Sequence, residues 1–416
     1  MIEVGLCMNI VLNTNVVSPH VVPLALALVE KYGVASVSYV YFTMPSDLIR
    51  SKDEYAKIKD IAVDATSDRT VAKTRALEAD VLIENVREFD VIAARVKAKK
   101  PTLYVSERWF KPVRIDSPRR SEYATGRGIQ VSGFLKMLLP FALRRARQMI
   151  RIMRARDNRF VYLANGIHAA RDMARLCGLM NGDLRCIFRA PLLDFERKPG
   201  GRICLKSGAD GRKYCVDKMR MWGYFVETGG AGKEQAPCQS DESNAIRVLW
   251  MGRLLSLKRV DVIIRAVIAH EEKRQNNKDI PLLTFDVYGK GAEEIRLRAM
   301  AKGYENVIKF HDYLPRSAVK DVMQKHDVFV LSSNAFEGWG AVVNEALEAG
   351  MKVVGTFEAG ASATMLPKSN LYHVNDWKSL LKILSSPIPQ VSIEKWTPRS
   401  AASALSKILD ELGVGV

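Results

Sequence analysis

The stretch Val328-Phe329-Val330-Leu331-Ser332-Ser333-Asn334-Ala335-Phe336-Glu337-Gly338-Trp339-Gly340-Ala341-Val342-Val343-Asn344-Glu345-Ala346-Leu347 reads as three pieces in a row. Val328 to Ser333 is a short apolar run of the kind that forms a buried parallel strand. Gly338-Trp339-Gly340 is a turn, and the residues after it have a helical pattern. Strand, glycine turn and helix together build an anion site at the carboxyl edge of a parallel sheet. Two glutamates, Glu337 and Glu345, bracket the turn and add acceptors for hydroxyl groups. A ligand with both phosphates and hydroxyls, such as a sugar nucleotide, fits that combination.

The same alternation extends outward. Ile246 to Met251, Leu283 to Tyr288, Val307 to Phe310 and Val353 to Thr356 read as further strands, with a helix from Val260 to Glu272. Gly252 to Leu257 is a loop, and Gly289-Lys290-Gly291 closes the second strand. In the first half, Val37 to Phe42, Asp80 to Asn85, Thr102 to Ser106 and Phe160 to Ala164 are strand-like, with helices at Glu88 to Lys100 and Ile167 to Cys177. Asn13 to His20 reads as a loop ahead of a helix from Val21 to Glu30. Such alternation predicts parallel sheets covered by helices. Glu227 to Asn244 has glycines, a proline and no periodicity, which marks a boundary. The predicted domains are 1–240, 241–395 and a last segment, 396–416, whose helix packs back towards the first domain.

A chain of 416 residues is long for one core, in agreement with two domains. The net charge of +17 favours an anionic partner: nucleic acid, an acidic membrane surface or a phosphorylated substrate. The six cysteines form no Cys-x-x-Cys pair and have no histidine cluster beside them, so reduced thiols are expected rather than a zinc site. The start lacks a basic signal-peptide opening, and no apolar run reaches the ~18–20 residues that span a bilayer. A cytoplasmic protein is expected, either free or peripheral on the inner face of the membrane.

The second half resembles the retaining glycosyltransferases of the GT-B fold, the group-one (family four) class. The resemblance runs from about Arg247 to Ser385. Gly252-Arg253-Leu254 followed by Lys258 is similar to that family's pyrophosphate clamp. Val287-Tyr288-Gly289-Lys290-Gly291 is similar to its second glycine turn. Phe310-His311-Asp312-Tyr313-Leu314-Pro315 takes the place of its F-x-G-x-(L/V)-P segment, but has no glycine. Glu337-Gly338-Trp339-Gly340 with Glu345 resembles its E-G-F-G…E signature, with tryptophan for phenylalanine. The implied fold is α/β, two Rossmann-like domains facing each other across a cleft. The implied donor contacts are Gly252, Arg253, Lys258, Gly289, Gly291, Leu314, Glu337, Gly338, Trp339, Gly340 and Glu345.

The residue types suit those roles. Arg253 has a planar fork of donors and Lys258 a point charge, both apt for phosphate oxygens. Amides of Gly338, Trp339 and Gly340 can face a diphosphate, because glycine lets backbone come close. By resemblance Glu345, about a turn and a half into its helix, takes the ribose hydroxyls, and Glu337 reaches the donor sugar. Solvated loop charges and a helix-capping glutamate are the plain alternatives. Glu358 to Thr364 opens one more helix, either beside the donor or as a simple turn. No metal is implied, and no cofactor beyond the nucleotide-diphosphate sugar itself.

In the first half, Ser18-Pro19-His20 resembles a loop of some polysaccharide-building members, and His20 is a candidate acceptor contact or base. Glu107 and Arg108 follow a mid-domain strand where relatives carry a histidine; they are candidates for the catalytic corner, or a structural ion pair. Phe134 to Arg159 reads as an arginine-rich amphipathic helix with an apolar lead-in, suited to an anionic membrane surface. Packing of that apolar face on the first domain is the alternative. No nucleic-acid motif is present.

The predicted function is a retaining, metal-independent hexosyltransferase that uses a nucleotide-diphosphate sugar. Its acceptor would be a glycan, lipid-linked, in cell-surface polysaccharide synthesis. An epimerase or hydrolase of the same fold, or a non-catalytic basic protein that binds membranes or polyanions, are the alternatives.

Overall fold

The computed structural model describes residues 8–43, 49–109, 140–155, 159–187, 193–195, 199–206, 211–226, 245–392 and 395–414. The described chain divides into two compact units. One holds the residues up to Trp109, those up to Phe225 that follow Met137, and those from Trp396 on; the other runs from Val226 to Lys395.

The first unit is built on a seven-stranded parallel sheet in the order β3-β2-β1-β4-β5-β6-β9. The strands are β1 (Ile10–Val16), β2 (Val37–Thr43), β3 (Ala62–Asp64), β4 (Val81–Glu84), β5 (Thr102–Ser106), β6 (Phe160–Asn165) and β9 (Met219–Trp222). A small antiparallel pair, β7 (Leu193–Phe195) and β8 (Ile203–Leu205), precedes β9. The helices are α1 (Val22–Tyr32), α2 (Ile49–Ile58), α3 (Arg69–Glu78), α4 (Phe89–Lys97), α5 (Pro140–Arg154) and α6 (Ile167–Met180).

Strand β1 corrects the sequence reading, which left Asn13 to Val16 in a loop. Asn13 and Thr14 are buried in a central strand because their side chains find partners there. Asn13 Nδ2 donates to Glu84 Oε2 at 2.9 Å, and Thr14 Oγ1 to the Val40 carbonyl at 3.2 Å. Polar side chains with buried partners look like a turn when read without those partners.

Helix α5 follows the alternative given for its apolar face. Ala146, Met149, Ile150, Ile152 and Met153 are buried, while Arg144, Arg147, Arg151 and Arg154 are exposed. The apolar stripe packs within the unit, as the alternative reading has it, and the arginines face outward. Gln148 fastens the helix to α4 by donating to the Phe89 carbonyl and to Asp90 Oδ1, both at 3.1 Å. The expected lead-in, 134–139, lies outside the described residues.

The second unit carries a six-stranded parallel sheet in the order β12-β11-β10-β13-β14-β15. Its strands are β10 (Ile246–Met251), β11 (Leu283–Tyr288), β12 (Ile308–His311), β13 (Val328–Leu331), β14 (Lys352–Thr356) and β15 (Leu371–Tyr372). Its helices are α7 (Val260–Asn276), α8 (Glu294–Met300), α9 (Arg316–Gln324), α10 (Val342–Glu348), α11 (Gly360–Met365) and α12 (Trp377–Leu384). Val248, Trp250, Phe285, Val287 and Val330 of the sheet meet Ile263 and Val267 of α7 and Leu380 and Leu384 of α12 in one core. Each such aliphatic side chain contributes roughly 1.5–3 kcal/mol by leaving water.

The last helix, α13 (Pro398–Glu411), belongs to the first unit. Thr397 and Ser400 cap it reciprocally. Leu405 and Leu409 enter the core formed by Leu12, Leu103 and Leu163. Arg399 forks onto Glu30 of α1 at 2.6 and 2.9 Å.

Candidate functional site

In the second unit the candidate residues gather at the carboxyl ends of β10, β11, β13 and β14. Two loops there are packed so closely that glycine is obligatory. Gly289 has φ 128°, and a Cβ on it would overlap the carbonyl of Gly252. Gly291 stands in the same way against the Leu254 carbonyl. These glycines join the turn after β10 to the turn after β11. Arg253, between Gly252 and Leu254 in the turn after β10, is exposed and has no side-chain partner among the described residues. Lys290 pairs with Asp312 at 3.1 Å, which ties the second turn to the Phe310–Pro315 segment; Leu314 lies half-buried there.

Lys258 ends a one-turn 3₁₀ helix, Ser256–Lys258. Its ammonium donates to Glu337 Oε2, and the Ser333 hydroxyl donates to that same oxygen at 2.9 Å. Both charged side chains are at most one-fifth exposed, so the pair is screened less than a surface salt bridge. The sequence assigned these residues separate duties; the structure joins them.

The turn after Glu337 is backed by α11. The Gly360 amide donates to the Gly338 carbonyl at 3.2 Å and the Ala361 amide to the Trp339 carbonyl at 2.8 Å. A Cβ on Gly360 would come within 2.6 Å of that Gly338 oxygen. The Trp339 ring is buried and donates to Asn344 Oδ1 at 2.8 Å, so this side chain anchors the turn. The amides of Gly338 and Gly340 donate to no described residue. They remain able to bind an anion. Glu345 is half-buried in the first turn of α10, nearer the helix start than the expected turn and a half because the helix begins at Val342.

Asp286 was not a candidate in the sequence, and neither was His326. Asp286 accepts from His311 Nε2 and, at 3.3 Å, from His326 Nε2. Burial alone would raise its carboxyl; the two imidazoles outweigh burial and hold it below the usual carboxylate range. His311 also stacks on Tyr288, with ring centroids 4.3 Å apart. The segment that lacks the family's glycine thus begins with an imidazole fixed to the neighbouring strand. Arg259, Asp261 and Ser333 were also missed, because only their partners' positions reveal them.

The first unit has its own cavity of about 120 Å³ at the carboxyl ends of its strands. Two of the three candidates from that half, His20 and Glu107, line it, with Thr14, Asn85, Asn165 and Tyr224. His20 is stacked flat on Tyr224 at 4.2 Å. Asn165 Oδ1 is buried with no hydrogen-bond partner, which leaves an acceptor for a ligand's O–H or N–H. Arg108 lies in a buried ion pair with Asp172 at 3.8 Å, the structural alternative given for it. Beneath lies Glu84, wholly buried, its carboxyl pushed by that burial to about 8 against hydrogen bonds from Asn13 and the Val86 amide.

Residues 234–386 match the family described as "Glycosyl transferases group 1". The GtfA subunit of a UDP-N-acetylglucosamine–peptide N-acetylglucosaminyltransferase from Streptococcus agalactiae is 32% identical over 133 residues, 32% of this chain and 24% of that protein. Its counterpart from Streptococcus pneumoniae is 29% identical over 141 residues. The aligned part spans about a quarter of the length of these curated relatives. Among solved structures, Anabaena HepE in complex with UDP superposes with a TM-score of 0.55 at 15% identity, over 97% of this chain and 96% of that one. The lipopolysaccharide outer core galactosyltransferase WaaB, in its apo form, gives 0.53 at 12% identity, over 97% and 96%. Residues 234–386 are thus similar to the group-one glycosyltransferases, and the chain has the GT-B fold of its structural neighbours.

Proposed function

We propose that this chain transfers a sugar from a UDP-sugar to a hydroxyl acceptor, with retention at the anomeric carbon and without a metal. The carrying observation is the Lys258–Glu337 pair, set beside the open amides of Gly338 and Gly340 at a sheet's carboxyl edge. Lys258, Arg253 and the amides stabilise the departing diphosphate, whose charge grows as the glycosidic bond breaks. Glu337 holds the sugar and Glu345 the ribose. Uridine is favoured because UDP appears in the names of the curated relatives and of a structural neighbour.

The cavity of the first unit holds the acceptor. Asn165 Oδ1 receives one acceptor hydroxyl, and the His20–Tyr224 stack forms a flat wall for a sugar ring. A lipid-linked glycan is the acceptor we infer from the sequence. A peptide hydroxyl is the second reading, favoured by the names of the curated relatives.

The test is UDP release from UDP-glucose, UDP-galactose and UDP-N-acetylglucosamine, each with no acceptor, with a lipid-linked glycan and with serine-rich peptide. Acceptor-dependent release supports transfer. Sugar isomerisation or release without acceptor replaces it with an epimerase or hydrolase. No binding of any of the three by calorimetry leaves a non-catalytic role. Chelator-insensitive turnover and a retained anomeric configuration by NMR test the remaining details.

A further inference from the structure

We propose that Arg259 is a positioning residue: its left-handed backbone aims Lys258, and its own side chain holds it in that conformation. This rests on the donor reading above. Arg259 has φ 50° and ψ 41° and sits between the 3₁₀ turn that ends at Lys258 and the first residue of α7. A side chain with a Cβ enters that region at a steric cost, and such residues persist only where their surroundings enforce them.

Here the enforcement is visible. The Arg259 guanidinium is buried and forks onto Asp261, with Nε to Oδ1 at 3.0 Å and Nη2 to Oδ2 at 2.8 Å. Its third nitrogen, Nη1, donates to Asn375 Oδ1. Asn375 itself has φ 77°. Two of the four described non-glycine residues with positive φ are therefore bonded to each other, directly behind the donor turn. On the other side of Lys258, the Ser332 hydroxyl donates to the Lys258 carbonyl at 2.6 Å. The next residue, Ser333, donates to Glu337. The peptide joining Lys258 to Arg259 is thus gripped from both ends. Relaxing Arg259 to a right-handed or extended conformation would swing the Lys258 ammonium off Glu337.

The test separates backbone conformation from charge. Asp261→Asn is made first, so that no buried carboxylate is left without its partner. Arg259→Ala and Arg259→Gly are added to it, each with Lys258 intact and with Lys258→Ala. Affinity for UDP, ADP and GDP is read by calorimetry, and melting temperature alongside. Glycine enters the left-handed region freely, so the glycine variant is expected within about threefold of the Asp261→Asn protein. The alanine variant is expected to bind about tenfold more weakly, a difference that vanishes when Lys258 is alanine. Equal losses with glycine and alanine, or an alanine loss that persists without Lys258, would overturn the proposal while leaving the donor reading intact. A native protein that binds none of the three nucleotides would overturn the donor reading, and this one with it.

Discussion

Lys258 and Glu337, 79 positions apart in sequence, form an ion pair at the carboxyl edge of the second sheet. The Ser333 hydroxyl shares the same carboxylate oxygen. On the proposed donor reading, an incoming diphosphate competes with Glu337 for the ammonium, and donor binding would exchange one partner of Lys258 for another and release Glu337 to accept hydroxyls from the sugar. A charge-assisted bond of this kind contributes about 1.5–3 kcal/mol.

That exchange gives the two residues opposite signatures. Glu337→Gln removes the competitor, so UDP should bind a few-fold more tightly while transfer falls by about a hundredfold or more. Lys258→Ala should weaken UDP binding by roughly tenfold to a hundredfold and depress transfer as well. Calorimetry with UDP and initial rates of UDP release read both effects. Weaker UDP binding by Glu337→Gln would show that the carboxylate supports the nucleotide and does not compete with it.

Glu345 lies in the first turn of α10, half-buried, one turn beyond the glycines. Its replacement by alanine should cost about tenfold in UDP affinity, while inorganic pyrophosphate binds as before, since the lost contacts are to ribose. A thermal-shift titration checks this, because a ligand raises apparent stability through its own affinity. A loss shared equally by pyrophosphate would place Glu345 at the diphosphate.

The donor half was readable because its chemistry is local in sequence. Gly289 and Gly291 follow β11 closely, and glycine is required there by backbone crowding against Gly252 and Leu254, while Gly252 and Gly340 hold a positive φ. The partners that set those groups were not readable. Asn375 reaches Arg259 from 116 positions away, and Asp286 meets His326 across 40. The amphipathic pattern of 142–153 gave the right helix but left its apolar partner open, since a stripe that packs on a domain and one that faces lipid have the same period. Asn13 and Thr14 misled for the same reason: polarity suggests a turn unless the groups that satisfy it are known.

In the first unit, His20 should act on the acceptor alone. His20→Phe keeps a ring against Tyr224 but removes the ring nitrogens, and Asn165→Ala removes the unpartnered amide oxygen. Each should raise the acceptor KM by about tenfold, the scale of one lost hydrogen bond to a polar ligand, with UDP affinity unchanged. Unchanged acceptor kinetics in both variants would move the acceptor out of this cavity.

Glu84 makes stability depend on pH in a direction unusual for a carboxylate. Its folded-state pKa is raised to about 8 by burial, from an ordinary value of 4.5. The folded chain therefore keeps a proton that the unfolded chain releases above pH ~4.5. The stabilisation from this group is complete below that value and is lost as pH rises towards 8, by about 1.4 kcal/mol for each pH unit in the window. Glu84→Gln carries no titrating proton and keeps an acceptor for Asn13 and the Val86 amide. Urea midpoints of the native protein and the variant, taken at intervals from pH 5 to pH 8, isolate the effect, since the other titrating groups cancel between them. The native protein should lose stability relative to the variant across this range. A constant difference would mean that Glu84 is already ionised in the folded state, with Arg95 or the hydrogen bonds from Asn13 and Val86 outweighing its burial.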